Sequence, residues 1–213
     1  MIDILFSDRS AAVAVKPAGV HSQPSADGRG EDMLSLLSKQ LGGDFFPIHR
    51  LDLGTEGVMV FARTKKAAAS LSRAVQEGKL NKEYEALVHG TVSPAEGEMT
   101  DLLFHSGQTN KTFVVDRMRG GAKEAKLLYR VLSSREEEGL GPVSLVRIRL
   151  LTGRTHQIRA QFSHRGYPLV GDGKYGAKDH EPFPRLRAAA LSFPHPDTGK
   201  VLSFSLPETN LLF

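Results

Sequence analysis

From residue 83 onward the chain is a succession of strand-length apolar stretches broken by one helical segment, and this order constrains the fold more than any other feature. Strands are expected over residues 83–89, 112–116, 126–132, 143–151, 187–193 and 201–206, which are rich in Val, Leu, Ile, Phe or Tyr or alternate apolar with polar positions. The helix among them has Thr155 placed to cap it, Ile158 and Phe162 facing inward at i and i+4, and Gly166 to end it. Earlier in the chain, residues 11–16 read as a short buried strand stopped by Pro17-Ala18-Gly19, and residues 58–63 as a second strand. Met33, Leu34, Leu36, Leu37 and Leu41 mark the apolar face of a helix starting near Asp32. Thr64 is placed to cap another helix that runs to about Gln76 through Ala67, Ala68, Leu71 and Val75. Between the first strand and the first helix, residues 21–31 form a polar, turn-rich loop. Helices and strands do not alternate strictly, so the pattern predicts an α+β fold, a mixed sheet with helices packed around it, over a doubly wound one. The length, 213 residues, suits one sizeable core, and a single domain over 1–213 is expected.

Composition narrows the chemistry. There is no cysteine, which excludes a disulfide framework, a thiolate nucleophile and any Cys-ligated metal centre. His49, His156 and His164 do not have the spacing of a recognised ligand set, so no metal is expected. The net charge of +4 is modest, but its distribution is uneven. Between Arg147 and Arg187 there are nine Lys/Arg against three acids, a stripe that suits a polyphosphate ligand or forms a solvated basic face. Glu136-Glu137-Glu138-Gly139 reads as an exposed hairpin loop whose sign would repel such a ligand. No apolar run approaches the ~20 residues needed to span a bilayer, and the amino terminus lacks the pattern of a signal peptide. A cytoplasmic protein without membrane partners, and a monomer, is the expectation.

One segment has the character of a catalytic loop. His49-Arg50-Leu51-Asp52-Leu53-Gly54-Thr55-Glu56-Gly57 presents a carboxylate, an adjacent cation and turn formers immediately before an apolar strand. A loop supported by a rigid strand can hold a single Asp at a fixed position, although an Arg-x-Asp pair is also a common surface ion pair. Gly171-Asp172-Gly173-Lys174-Tyr175-Gly176 could pass for a phosphate-cradling loop but lacks the Lys-Ser/Thr pair of a P-loop. It reads instead as a turn carrying Tyr175 and Lys174 to the rim of a site.

His49-Arg50-Leu51-Asp52 followed by Thr55 and Gly57 resembles the signature of the RluA-type RNA pseudouridine synthases. Lys16-Pro17-Ala18-Gly19-Val20 resembles the first motif of that family, Lys82-Glu83-Tyr84 its tyrosine motif, and Gly153-Arg154-Thr155-His156-Gln157-Ile158-Arg159 its third motif. With the Gly171–Gly176 turn and His195-Pro196-Asp197-Thr198-Gly199, the resemblance runs in the family's order from about Val13 to about Pro207. It implies a long, bent, largely antiparallel sheet with a basic active-site cleft. It also implies that the amino-terminal S4 RNA-binding domain of many relatives is lacking, because the first catalytic motif begins at Lys16.

By that resemblance the partner is ribosomal or transfer RNA and the reaction is conversion of specific uridines to pseudouridine, which exchanges a nitrogen–carbon glycosidic bond for a carbon–carbon one. No atoms are gained or lost. The reaction needs neither a redox cofactor nor a phosphoryl donor, in keeping with a chain that has no Walker loop and no Rossmann glycine fingerprint. The resemblance makes Asp52 the essential carboxylate, by attack on the sugar, addition to the base, or proton abstraction; the sequence leaves these routes open. It makes Tyr84 the residue that stacks on the extruded uracil or assists loss of the C5 proton, and Arg159 the cation that keeps Asp52 ionised. Arg50 is a rival for that cation, and is more naturally assigned with His49, Lys16, Arg154 and Gln157 to gripping the RNA or the flipped nucleotide. Glu56 departs from the family, where Ser is common; it either presses on Asp52 by like-charge repulsion or points to solvent beside Lys65 or Lys66, and the solvent position is expected. Two other readings remain open: a structured-RNA-binding module of the same fold without turnover, and a nucleoside or glycoside hydrolase using Asp52 and Glu56 as a carboxylate pair.

Overall fold

A computed structural model describes residues 1–207, which group into two compact units: residues 1–83 with 187–207, and residues 84–186. In chain order the elements are β1 (Asp3–Ser7), β2 (Ala11–Lys16), α1 (Met33–Leu41), β3 (Phe46–Pro47), β4 (Glu56–Ala62), α2 (Lys65–Gln76), β5 (Asn81–His89), β6 (Glu96–Ser106), β7 (Lys111–Val115), β8 (Ala122–Glu137), β9 (Gly141–Leu150), α3 (Gln157–His164), β10 (Leu186–Pro194) and β11 (Val201–Ser205). The α+β class read from the sequence is the observed one.

The first unit is built on β2 and β4. β2 pairs antiparallel with both β1 and β4, while β4 pairs in parallel with β10, and β10 in turn pairs antiparallel with β11. Ala11 to Ala14 and Val58 to Ala62 are buried without interruption, which is why both strands read as apolar runs and not as alternating ones. α2 lays Ala67 and Leu71 on a cluster with Val13, Val60, Leu191 and Phe193. Fully burying a side chain such as Leu71 contributes roughly 2 kcal/mol. Val75, expected on that inner face, is 40% exposed, and Ala74 takes the buried position. Both helices start where their caps predict: Asp32 Oδ1 accepts from the backbone N–H of Leu34 and Ser35 at 2.9 and 3.1 Å, and Thr64 Oγ1 from that of Ala67 at 3.1 Å.

The second unit has the strand order β5-β9-β8-β6-β7, with β9–β8, β8–β6 and β6–β7 all antiparallel. The acidic run forms the end of the β8–β9 hairpin, as expected. α3 packs Phe162 edge-on against Tyr129 with ring centroids 5.8 Å apart, and Ala160 against Leu103, Ala125 and Tyr175. Its start differs from the expectation. The residue before α3 is His156, in a left-handed conformation with φ 53°, and no side chain caps the helix; Thr155 instead accepts at its carbonyl a 2.8 Å bond from Thr112 Oγ1. β1, β3 and β6 are additional to the strands read from the sequence, and β8 is much longer than its apolar stretch. β6 carries Glu96, Glu98 and Asp101, which lower strand propensity, and is held by ladders to β7 and β8 on either side with Met99 and Leu103 buried.

Gly57 fixes how β4 enters its sheet. Its φ is +126°, and a Cβ there would lie 2.3 Å from the carbonyl oxygen and 2.6 Å from the nitrogen of Ala188, its partner on β10. Both the backbone conformation and the closeness of the neighbouring strand require glycine. Gly57→Ala is expected to destabilise the protein by on the order of 3 kcal/mol, read as a lowered midpoint in urea unfolding followed by far-ultraviolet circular dichroism.

Candidate active site

In the first unit, Asp52 is partly exposed in the loop that precedes β4, and the loop is pinned from several directions. The Thr55 N–H donates to the Asp52 carbonyl at 3.0 Å, closing a tight turn, and Thr55 itself is buried. The Gly19 N–H donates to the Leu53 carbonyl at 2.9 Å. Ser22 staples Leu51: its hydroxyl donates to the Leu51 carbonyl at 2.9 Å and accepts from the Leu51 N–H at 3.0 Å. Nothing in the sequence singled out Ser22, whose partner lies 29 residues away.

Lys16, expected to grip RNA, is wholly buried. Its ammonium donates to the carbonyls of Pro17, Val20 and Leu53 at 2.8, 2.7 and 3.1 Å, so all three protons are engaged by the chain itself. Burial pushes its pKa down to about 8, while the carboxylates of Asp52 and Glu56 act in the opposite sense. Glu56 is partly exposed, and its carboxylate is one of the charges that act on this ammonium.

His49 accepts a 3.3 Å bond at Nε2 from the Val60 N–H, which assigns the proton to Nδ1; that nitrogen is buried and has no partner among the described residues. Burial first, then the Lys82 ammonium, holds its pKa down at about 3, so the ring is neutral at physiological pH. Arg50 is exposed.

The second unit carries the other candidates. Tyr84 is buried on β5. Arg154 is exposed, with Nε donating to the Glu124 carbonyl at 2.9 Å. Gln157, expected beside Arg154 at the RNA, is buried: Oε1 accepts from Thr152 Oγ1 and the Arg154 N–H at 2.8 and 3.1 Å, and Nε2 donates to the Lys126 carbonyl at 3.0 Å. The structure thus brings Arg154 and Gln157 together through the backbone of the former. Arg159, on α3, donates from Nε and Nη2 to the two oxygens of Asp172 at 2.6 and 2.8 Å, and its guanidinium lies over the Tyr175 ring at 4.9 Å. Tyr175 is therefore buried and not on a rim, whereas Lys174 is exposed.

The basic stripe is less available than its composition suggested. Of its nine cations, at least four are committed to acids of the same unit: Arg147 to Glu85, Arg159 to Asp172, Arg165 to Asp101 and Arg185 to Glu181. Among the described residues no group of three or more His, Asp or Glu is placed to hold a metal ion, and no helix is long and apolar enough to cross a membrane.

Sequence and fold comparisons agree on the class. The family profile described as RNA pseudouridylate synthase matches residues 10–164. The chain is 32% identical over 208 residues to a Dual-specificity RNA pseudouridine synthase RluA from Vibrio parahaemolyticus, covering 96% of this chain and 82% of that protein. It is 34% identical over 227 residues to the Ribosomal large subunit pseudouridine synthase D of Pseudomonas aeruginosa, covering 97% and 68%. The solved structure of Human RNA Pseudouridylate Synthase Domain Containing 1 superposes with a TM-score of 0.83 at 27% identity, covering 98% of this chain and 84% of that one. The chain belongs to the RNA pseudouridine synthase family, and within it to the relatives of RluA and RluD. It is an isomerase that acts on RNA.

The loop's supports generate two expectations. Ser22→Ala leaves the buried N–H and carbonyl of Leu51 without their partner, so it should cost about 1–3 kcal/mol in urea unfolding and slow the isomerisation as well. Lys16 has a native pKa below its ordinary value of 10.5, so the unfolded chain binds more protons between about pH 8 and 10.5, and stability contributed at this site rises through that window. The Lys16→Met protein should lack this rise when unfolding free energies are measured at pH 7.5 to 10.5.

Proposed function

We propose that this protein converts specific uridines in structured ribosomal or transfer RNA to pseudouridine, with Asp52 as the essential carboxylate and Tyr84 and Arg159 acting in the same reaction. The reading is carried by one observation: Asp52 stands in a loop whose backbone is bound by Lys16, Gly19 and Ser22, an investment in immobility that a solvent-facing surface Asp does not need. Ribosomal RNA is the first substrate to test, because one relative is named for the large ribosomal subunit and another for dual specificity.

In the reaction the bond from N1 of uracil to C1′ of ribose breaks, the base turns, and C5 bonds to C1′. The C5 hydrogen leaves as a proton and N1 gains one, so the atoms balance without a cofactor. A stacked base hides this bond, so the uridine must be extruded, at a cost of a few kcal/mol that contacts to the RNA backbone offset. Exposed Arg50 and Arg154 are suited to those contacts. Lys16 and Gln157 serve instead by holding the loops that carry Asp52 and Arg154.

Loss of the C5 hydrogen supplies the assay. In vitro transcribed ribosomal and transfer RNA bearing tritium at uridine C5 should release tritium to water in the presence of the protein, with no free uracil formed. Asp52→Asn is expected to abolish release while leaving RNA affinity within about tenfold. Tritium release by that variant, or production of uracil by the wild-type protein, would contradict the proposal.

A further inference from the structure

The geometry points to Asp172 and Tyr175 as positioning residues that hold the Arg159 guanidinium in the single orientation the reaction uses. This inference rests on the reading of Arg159 as a participant in catalysis and adds the device that aims it.

An arginine side chain has many rotamers, and a charge that must act on a reacting group is useful only in one of them. Here two of the three guanidinium nitrogens are fixed by the two oxygens of one carboxylate, Nε on Oδ2 and Nη2 on Oδ1, which sets the direction of the fork. The Tyr175 ring, with its centroid 4.9 Å from the guanidinium carbon, covers one side of it. The two holders are themselves fixed. The Tyr175 hydroxyl accepts from the Thr112 N–H on β7 at 2.7 Å and lies 3.0 Å from Nδ1 of His156, the left-handed residue that begins α3. Burial raises the pKa of that hydroxyl, which keeps it protonated.

Asp172 is fully buried in a turn that cannot drift. Gly171 beside it has φ +83°, and a Cβ there would come within 2.1 Å of the Phe183 carbonyl oxygen, while its N–H donates to Asp179 at 2.9 Å. The N–H groups of Tyr175 and Ala177 both donate to the Asp172 carbonyl, at 2.9 and 3.1 Å. The pair Asp172 and Tyr175 thus sits on one rigid turn facing one arginine. A buried ion pair adds little net stability compared with well-packed apolar residues, whereas it fixes orientation well, so orientation is what this arrangement delivers.

The test is a double-mutant cycle, using tritium release from the in vitro transcribed RNA on which the wild-type protein is active. Arg159→Met is expected to lower kcat by about a hundredfold or more. Asp172→Asn should lower kcat by about tenfold to a hundredfold with the KM for that RNA unchanged. The double variant should be no slower than Arg159→Met alone, because Asp172 acts only through the arginine. Where Asp172→Asn does not fold, Tyr175→Leu, which removes the ring and keeps the ion pair, takes its place in the cycle. Additive losses in the double variant, wild-type kcat in both Asp172→Asn and Tyr175→Leu, or a rise in KM in place of a fall in kcat would overturn the positioning role. Full activity in Arg159→Met would instead overturn the catalytic reading of Arg159, a result the cycle distinguishes because it appears in the single arginine variant.

Discussion

The buried ammonium of Lys16 is the interaction on which the first unit's candidate site depends. Removing an ammonium from water costs several kcal/mol, and here that cost is offset by three carbonyl acceptors and by the two carboxylates nearby. Those carbonyls come from two different segments, the turn after β2 and the loop before β4. One charge therefore ties the end of the first motif to the loop that bears Asp52. The sheet register places the same point against Gly57, since Lys16 pairs with Gly57 on one side and Ala188 pairs with it on the other. A residue without a side chain is thus flanked by two strands, and the loop that bears Asp52 runs into β4 beside this doubly paired position.

The second unit uses the same economy with different groups. Gln157, Arg159, Asp172 and Tyr175 are polar side chains that a surface reading would assign to solvent or substrate, and all four are buried. Their partners include backbone groups, neighbouring side chains and each other, and the bonds hold short turns against β7, β8 and α3. The excess of cations along this part of the chain is consequently a poor guide to where RNA is held. At least four of them neutralise acids of the protein, whereas Arg154 is exposed.

What was legible in the sequence follows from how local each signal is. The starts of α1 and α2 were readable because Asp32 and Thr64 cap residues two to three positions away. The buried strands β2 and β4 were readable because both their faces are covered, leaving uninterrupted apolar runs. β6 was not, because its acidic residues lower its propensity and its pairing with β7 and β8 supplies the difference. The left-handed start of α3 was hidden because Thr155 is a good cap by type, yet its neighbour takes a conformation that few residues other than glycine adopt. Around the candidate site the family motifs marked Asp52, Tyr84 and Arg159, but not the roles of their supports. A lysine, a serine in a polar loop and a glutamine all look like surface residues until partners 29 to 37 positions away come within reach.

The parallel pairing of β4 with β10 has a consequence for how the molecule is made. Gly57 and Ala188 are 131 residues apart, so during synthesis β4 leaves the ribosome long before the strand that completes one of its edges exists. Until then β4, whose Val58, Met59, Val60 and Phe61 are all buried in the finished fold, is paired with β2 but lacks the partner of Glu56 and Gly57. Such an edge is a template for the wrong strand, including the same strand of another nascent chain. The late arrival of β10 makes this pairing a long-range one, of the kind that forms slowly.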